Sequence, residues 1–392
     1  MVEEAEAKER ILCRVPGGTV TWVPLELAID LVLAQPVEGV LDSPPFDNSS
    51  MDGYAVRSAE ASTGARLSVL AEGQAAGIDR RLHLESGKAI RIFTGAPLPE
   101  GADAVVMQED VERNGAEIHL LDGVVAGENI RRRGCDVCAG QHLLDAGVVL
   151  GPTQLGLLAS QGLPEVPVYR RPLVEIITTG DELVPPGEPL ASGLIYNSNA
   201  TMLQAAVTRI GAIAAAQHVP DDRAALSQAL GRALASADLL VVAGGVSVGE
   251  RDYVQEVLVE LGVVVDFWKI RVKPGKPFLF GRSTEGTLVF GLPGNPVSAY
   301  VTFLLLVAPC IEKLLGRRDS SLLPWRGLAA EPMENPGDRP HYLRGRVEQG
   351  RVKLSGLQQS HAIFGLSRAN CLVRLGPEER LAEGDPVEII PM

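Results

Sequence analysis

The chain has 392 residues, a formal charge of −13 and a 22% share of charged residues, too long for one compact core, so several domains of about 100–150 residues are expected. Its acidity argues against nonspecific adhesion to nucleic acid, which depends on clustered Lys and Arg neutralising phosphates. No uninterrupted apolar run reaches the roughly 18–20 residues of a membrane span, and the start MVEEAEAKER is acidic where a secretory leader is basic, so a soluble, cytoplasmic protein without membrane contact is expected.

In chain order, the leucine and alanine spacing predicts helices over Glu4–Val15 and Pro24–Ala34, packed as a small helical unit. From Pro44 to about Gly140 the texture changes to short β-like runs, Leu67–Leu70, Ala89–Phe93, Ala104–Gln108 and Glu117–Leu121, separated by turn residues; this reads as an inserted β-rich domain. From about Pro172 to Gly316 strands alternate with helices: strands at Val174–Thr178, Ala212–His218, Leu239–Ala243 and Val263–Trp268, helices at Asn199–Ile210, up to Ser236, and Tyr253–Leu261. A hairpin of Phe278–Gly281 and Leu288–Gly291 and a last helix, Pro296–Leu315, complete it. The alternation predicts a doubly wound, mostly parallel α/β sheet whose ligand site lies at the carboxyl ends of the strands. After Pro324 the strands Leu343–Glu348, Arg351–Leu354 and Val387–Ile390 predict a C-terminal β-barrel. The expected domains are therefore 1–43 with 139–170 (helical, discontinuous), 44–138 (inserted β), 171–320 (α/β) and 321–392 (barrel).

The chemistry-bearing residues coincide with predicted strand ends. Glu182 leaves the first strand, Asp221 and Asp222 the second, and Gly244, Gly245, Ser247 and Gly249 the third, leading to Asp252. Glycines let backbone amides approach a phosphate, and carboxylates at the same rim suit Mg²⁺. Each feature alone is equally a helix cap or a tight turn; their convergence on one edge is what points to a site. Pro293, Gly294, Asn295 and Pro296 join a strand to a helix start in the way that aims free amides at an anion. Basic residues fall in three groups, Arg131 to Arg133, Lys269 to Lys276 and Arg339 to Arg346. In an extended stretch Lys269, Arg271 and Lys273 share one side, a suitable place for an oxyanion; the same pattern also protects an edge strand from aggregation. Cys135 and Cys138 form a lone CxxC without a second pair at finger-like spacing, and five cysteines suit reduced thiols.

Six runs in this order resemble the signatures of the molybdopterin molybdenumtransferases, the MoeA-type bacterial enzymes and the gephyrin E domain. They are PFDNSSMDGYAV (45–56), RIFTGAP (91–97), TGDEL (179–183), GGVSVG (244–249) with Asp252 and Tyr253, KPGKP (273–277) and LPGNPVS (292–298). The resemblance runs from about Pro24 to the end. It implies four domains, an elongated homodimer, and a cleft between the α/β domain of one subunit and the inserted β domain of the other. By position, Glu182, Asp252, Lys269, Lys273, Pro293 and Pro296 would line the cleft from one side, and Asp52, Thr94 and Asp136 would face them from the partner. An acidic residue after the second strand belongs to the set; Asp221 is preferred to Asp222. The implied reaction inserts molybdenum from molybdate into adenylylated molybdopterin, releasing AMP and water. Mg²⁺ on Glu182, Asp221 or Asp222, and Asp252 would assist, and other cofactor-biosynthesis proteins and apo-molybdoenzymes would be partners. Adenylylation of molybdopterin and a non-catalytic, gephyrin-like scaffold are the rival readings. Cys135 departs from the family pattern, standing where many relatives carry an acidic residue beside Asp136.

Overall fold

The computed structural model describes residues 1–245, 253–318 and 322–392. The chain divides into two compact units, Met1–Gln35 with Gly147–Gly151 and Val166–Met392, and Pro36–Ala146 with Pro152–Glu165.

Helix α1 (Glu4–Arg14) begins with acidic residues and ends on Arg14, as the helix dipole favours. Its Ala7 and Ile11, with Val15 just beyond, are buried in the core of the larger unit, and Arg10 donates to Asp266 at 2.5 Å. The predicted second helix, Pro24–Ala34, does not form. Val20–Pro24 is a strand paired with Glu165–Tyr169, followed by a single 3-10 turn at Leu25–Leu27. The β-branched Val20, Thr21 and Val23 favour the strand, and Asp30 takes a left-handed φ of 61° that no helix tolerates. Val32 and Leu33 are then buried by bridging to Val149 and Val168. The expected small helical unit is thus replaced by one helix docked on the α/β core and an extended segment.

The smaller unit is built on a sheet of β1 (Gly53–Val56), β2 (Arg66–Val69), β3 (Lys88–Ile92), β4 (Ala104–Met107), β5 (Val111–Asn114) and β6 (Glu117–Leu120), in the order β4-β1-β3-β2-β6-β5. Its two faces bury separate clusters, Tyr54, Val56, Ala89 and Val106 on one and Ala55, Ile90, Ile92 and Val105 on the other, the alternation that a pleated strand produces. Helix α2 (Pro152–Ser160) closes this unit, and Gln161 just beyond it accepts hydrogen bonds from the amides of Val40 and Leu41.

In the larger unit β7 (Leu173–Thr179), α3 (Ser198–Ile210), β8 (Ile213–Val219), α4 (Arg223–Ser236), β9 (Leu239–Ala243), α5 (Val254–Glu260), β10 (Val264–Trp268), β11 (Leu279–Arg282) and β12 (Leu288–Leu292) alternate as expected. The sheet order is β8-β7-β9-β12-β11-β10, the first four strands parallel and β11 and β10 antiparallel. One face packs on α1, α3 and the long helical stretch after β12; the other packs on α4 and α5. That stretch runs as α6 (Pro296–Thr302), a π-helical Phe303–Val307 and α7 (Ala308–Leu314). By length and composition alone it resembles a membrane span, with mean hydropathy 1.6, yet 83% of its most apolar window is buried inside the protein. It is a core helix.

A five-stranded closed barrel follows, of β13 (Trp325–Ala329), β14 (His341–Glu348), β15 (Arg351–Leu354), β16 (Cys371–Leu375) and β17 (Pro386–Pro391), with α8 (Ile363–Arg368) before β16. Inside lie Leu343, Val352, Val373 and Ile389. On the outer side Tyr342, Leu372 and Ile390 join the α/β core, and the Tyr342 hydroxyl donates to Glu4.

Candidate functional site

At the carboxyl ends of the parallel strands the larger unit opens a chamber of about 700 Å³, where side chains and backbone from several strand exits converge. The turn after β7 brings Glu182 to its wall. Gly180 makes this possible: with φ of 146°, any Cβ there would stand 2.4 Å from the Glu182 carboxylate. Asp221, leaving β8, accepts from the Thr179 hydroxyl at 2.6 Å and from the Asp181 amide at 3.4 Å, and its own amide donates to Asp181 at 3.0 Å. The two strand-end carboxylates are therefore locked to each other's backbone. Asp222 has a different task. It accepts from the Ala225 amide at 2.8 Å as the N-cap of α4 and lies off the chamber wall, so of the two neighbours Asp221 is the one facing the chamber.

Gly244 and Gly245 follow β9 with φ of 101° and 62°. A Cβ on Gly244 would meet the Thr179 carbonyl at 2.5 Å, so glycine is required for both the turn and the close approach of the strands. Pro293, Gly294, Asn295 and Pro296 line the chamber where β12 passes into α6, with Pro296 in the first helical turn. Ser247, Gly249 and Asp252 lie outside the described residues.

The wall also carries residues that the strand-exit argument missed. Asn197 caps α3 through the Ala200 amide at 3.2 Å and donates to the Thr178 hydroxyl at 2.7 Å. Asn199 donates to the Gly294 carbonyl at 2.7 Å while its Oδ1 is buried with no protein partner. The signal was present as the polar Asn197-Ser198-Asn199 run at a helix start, hidden because capping residues have the same composition.

A second chamber, of about 680 Å³, adjoins the first, and the two share Pro277, Ser298 and His361. Its lining is basic: Lys273, Lys276, Arg339 and His341 face it. Lys273 is fixed by backbone bonds, its amide donating to the Pro340 carbonyl and its carbonyl accepting from the Tyr342 amide. Burial, with Lys273, Arg344 and Arg339 nearby, lowers the His341 pKa to about 4, so this imidazole is neutral at physiological pH. Arg344 has no exposed surface. Its Nη2 donates to the Leu357 and Gln359 carbonyls, while Nε and Nη1 have no protein partner, and burial depresses its pKa to about 10. Lys269 differs from its expected placement. It takes φ of 83° and sets its ammonium 4.0 Å over the Trp268 ring, and it lines neither chamber.

In the smaller unit Asp52 accepts from both the amide and the hydroxyl of Thr94 at 2.7 Å. These bonds, the amide first, hold the Asp52 carboxyl below its ordinary pKa. Arg91 lies near the faces of Tyr54 and Phe93, 5.1 and 5.0 Å from their centroids. Asp136 is exposed, with its amide bonded to the Ser43 carbonyl, on a segment anchored by Asp47 to Arg132 and by Asp42 to Arg133. The segment from Ser43 to Asp52 thus runs from the Asp136 turn to the Thr94 turn. Cys135 and Cys138 are free and exposed. Among the described residues no cluster of three or more His, Cys, Asp or Glu is arranged to hold a metal.

Comparison with known proteins agrees along the whole length. Residues 2–162 match the MoeA N-terminal region (domain I and II), residues 175–313 a probable molybdopterin binding domain, and residues 326–392 the MoeA C-terminal region (domain IV). The molybdopterin molybdenumtransferase of Haemophilus influenzae is 39% identical, the alignment covering 98% of this chain and 97% of that one. The Bacillus subtilis molybdopterin molybdenumtransferase is 33% identical, over 98% and 93%. A crystal structure of the molybdopterin biosynthesis MoeA protein from Pyrococcus horikoshii superposes with a TM-score of 0.88 at 32% identity, covering 100% and 99%. With this likeness along nearly its whole length, the chain belongs to the MoeA family of molybdopterin molybdenumtransferases.

Proposed function

We propose that this chain inserts molybdenum from molybdate into adenylylated molybdopterin, yielding molybdenum cofactor, AMP and water, and that it does so in the cytoplasm. The observation that carries this reading is the pair of adjoining chambers, one lined by carboxylates and glycine backbone and the other by cations, sharing Pro277, Ser298 and His361. The substrates pose a matching problem, since a dianionic oxyanion must be brought to a pterin that already carries phosphates. The first chamber suits the adenylylated pterin: backbone at Gly244, Gly245 and Pro293 to Pro296 accommodates its pyrophosphate closely. The second suits molybdate, which Lys273, Lys276 and Arg339 attract and whose charge they stabilise during transfer. Asn199 Oδ1, buried without a partner, would accept from a donor on the pterin or adenine edge.

Mg²⁺ fits the carboxylates present, because it takes one or two carboxylates and completes its shell with phosphate and water. Glu182 and Asp221 would hold it, with Asp252 the third residue implied by the family pattern. When bound it neutralises the pyrophosphate and assists its cleavage. We place Asp52, Thr94 and Asp136 in the same reaction as contacts supplied by the partner of a homodimer, with Asp52 kept ionised by Thr94. Other cofactor-biosynthesis proteins and apo-molybdoenzymes are the proposed partners before and after the step.

The test is to incubate the purified protein with adenylylated molybdopterin, molybdate and Mg²⁺ and to follow AMP and cofactor together. Concurrent formation of both is expected. AMP release with no molybdenum bound to the dithiolene, or no reaction at all, overturns the reading. Equilibrium sedimentation tests the dimer: a fully active protein that is monomeric at micromolar concentration removes the partner-supplied half of the site.

A further inference from the structure

We propose that His361 is a catalytic proton relay between the two chambers, taking protons from the dithiolene sulfurs and delivering them to the oxygen that leaves molybdate. The inference rests on the proposed function and adds a residue to it. Three residues belong to both linings, Pro277, Ser298 and His361, and of these His361 alone carries a ring with two nitrogens, one able to take up a proton while the other gives one up. The charged groups around it are Glu182 and Asp221 on the first chamber and Lys273, Lys276, Arg339 and His341 on the second. The cations have no acceptor to offer. His341, the other imidazole on the basic side, is buried among cations and held neutral.

Its placement is built rather than incidental. The segment from Leu357 to His361 is clamped on three sides. Buried Arg344 holds the Leu357 and Gln359 carbonyls. The Gln358 side chain accepts from the Arg344 amide at 2.8 Å and donates to the Arg344 carbonyl at 3.0 Å. The Val297 amide, in the first turn of α6, donates to the Ser360 carbonyl at 3.1 Å. A guanidinium buried without a carboxylate is a costly arrangement, and here its hydrogen bonds fix the backbone that presents His361. His361 itself is exposed and lines both chambers.

The chemistry balances without an added reactant. Two S–H protons are removed, two sulfur–molybdenum bonds form and one molybdenum–oxygen bond breaks. The departing oxygen leaves with both protons as water, and the metal keeps its oxidation state. Each proton passes through His361 in turn, from the sulfur on one side to the oxygen on the other, so the imidazole ends neutral and ready for the next cycle.

The experiment measures cofactor formation from adenylylated molybdopterin and molybdate by wild type, His361→Gln and His361→Ala across pH 5.5–8.5. Loss of a general acid–base group lowers a rate by roughly 100-fold or more, so both variants are expected to fall that far in turnover while keeping the wild-type melting temperature and molybdate half-saturation. The pH profile should lose one limb, and added imidazole should restore part of the rate to His361→Ala, which a purely structural role would not allow. Near-wild-type turnover in His361→Gln, or a slow His361→Ala with an unchanged pH profile and no response to imidazole, overturns the relay. A wild-type protein that makes no cofactor defeats the proposed function itself, which separates the two failures.

Discussion

The two chambers that meet at Pro277 and His361 are nearly equal in volume, about 700 and 680 Å³, and opposite in construction. The first is made by turns leaving consecutive strands of one sheet, each turn carrying its own functional residue a few positions past the strand. The second draws on segments far apart in the chain: Val272 to Pro277 after β10, Arg339 and His341 at the entry to the barrel, and Gln358 to His361 before α8. A parallel sheet places strand-end residues together through its topology alone. A chamber between a sheet and a barrel has no such rule, and its residues converge only because the two are packed.

That difference decides what the sequence reveals. Glu182, Asp221, Gly244, Gly245 and the Pro293 to Pro296 turn are readable because periodicity marks where each strand stops. The α/β order, the hairpin, the long helix and the barrel are readable for the same reason. Arg339 and His341 stand out as one more basic run until the fold puts them beside Lys273. Asp221 and Asp222 both fit the strand exit, with Asp221 only slightly preferred in the sequence; which of them lines the chamber follows from which carboxylate meets the Ala225 amide, a matter of backbone direction at a helix start. Lys269 fits an alternating pattern that assumes extended backbone, and its left-handed φ breaks that assumption. The segment Pro24–Ala34 misleads because leucines and alanines at mixed spacing fit a helix and an extended edge alike.

The contrast between chambers can be broken by substitution. Glu182→Ala should have the largest effect, slowing AMP release on the order of 100-fold, the size seen when a preorganised electrostatic contact to a transition state is removed. Binding of the adenylylated pterin should change far less. Equal losses in binding and release would show that the strand-end chamber serves only to hold the substrate. Lys273→Ala comes next: the molybdate needed for half-maximal rate should rise about tenfold, or ~1.4 kcal/mol, and more at low salt, where screening is weaker. An unchanged molybdate dependence at low salt would assign the basic chamber to some other anion. The smallest effect sharpens the Asp221 and Asp222 distinction. Asp222→Ala should lower stability by about 1 kcal/mol through the lost cap of α4 and leave turnover intact, as read by thermal melting beside the AMP assay. Wild-type stability with abolished turnover would put that carboxylate into the reaction.

The long helical stretch Pro296–Leu314 has a consequence for how the protein is made. While it leaves the ribosome it is, by length and hydropathy, a segment that membrane-insertion machinery could accept as a span. Its cover comes largely from earlier in the chain: Ala7 and Ile11 of α1 with Val15 just beyond, Leu203 and Val207 of α3, and the sheet residues Val241, Phe280 and Phe290 are all synthesised before it. The barrel residues Tyr342, Leu372 and Ile390, with Leu366 of α8, arrive afterwards to complete the burial. The gene order thus delivers the most apolar helix onto a surface already prepared for it. A circular permutant translated from residue 296 onward would reverse that timing and present the same helix bare, with aggregation or misrouting to membranes as its expected fate although the finished fold contains every one of the same contacts.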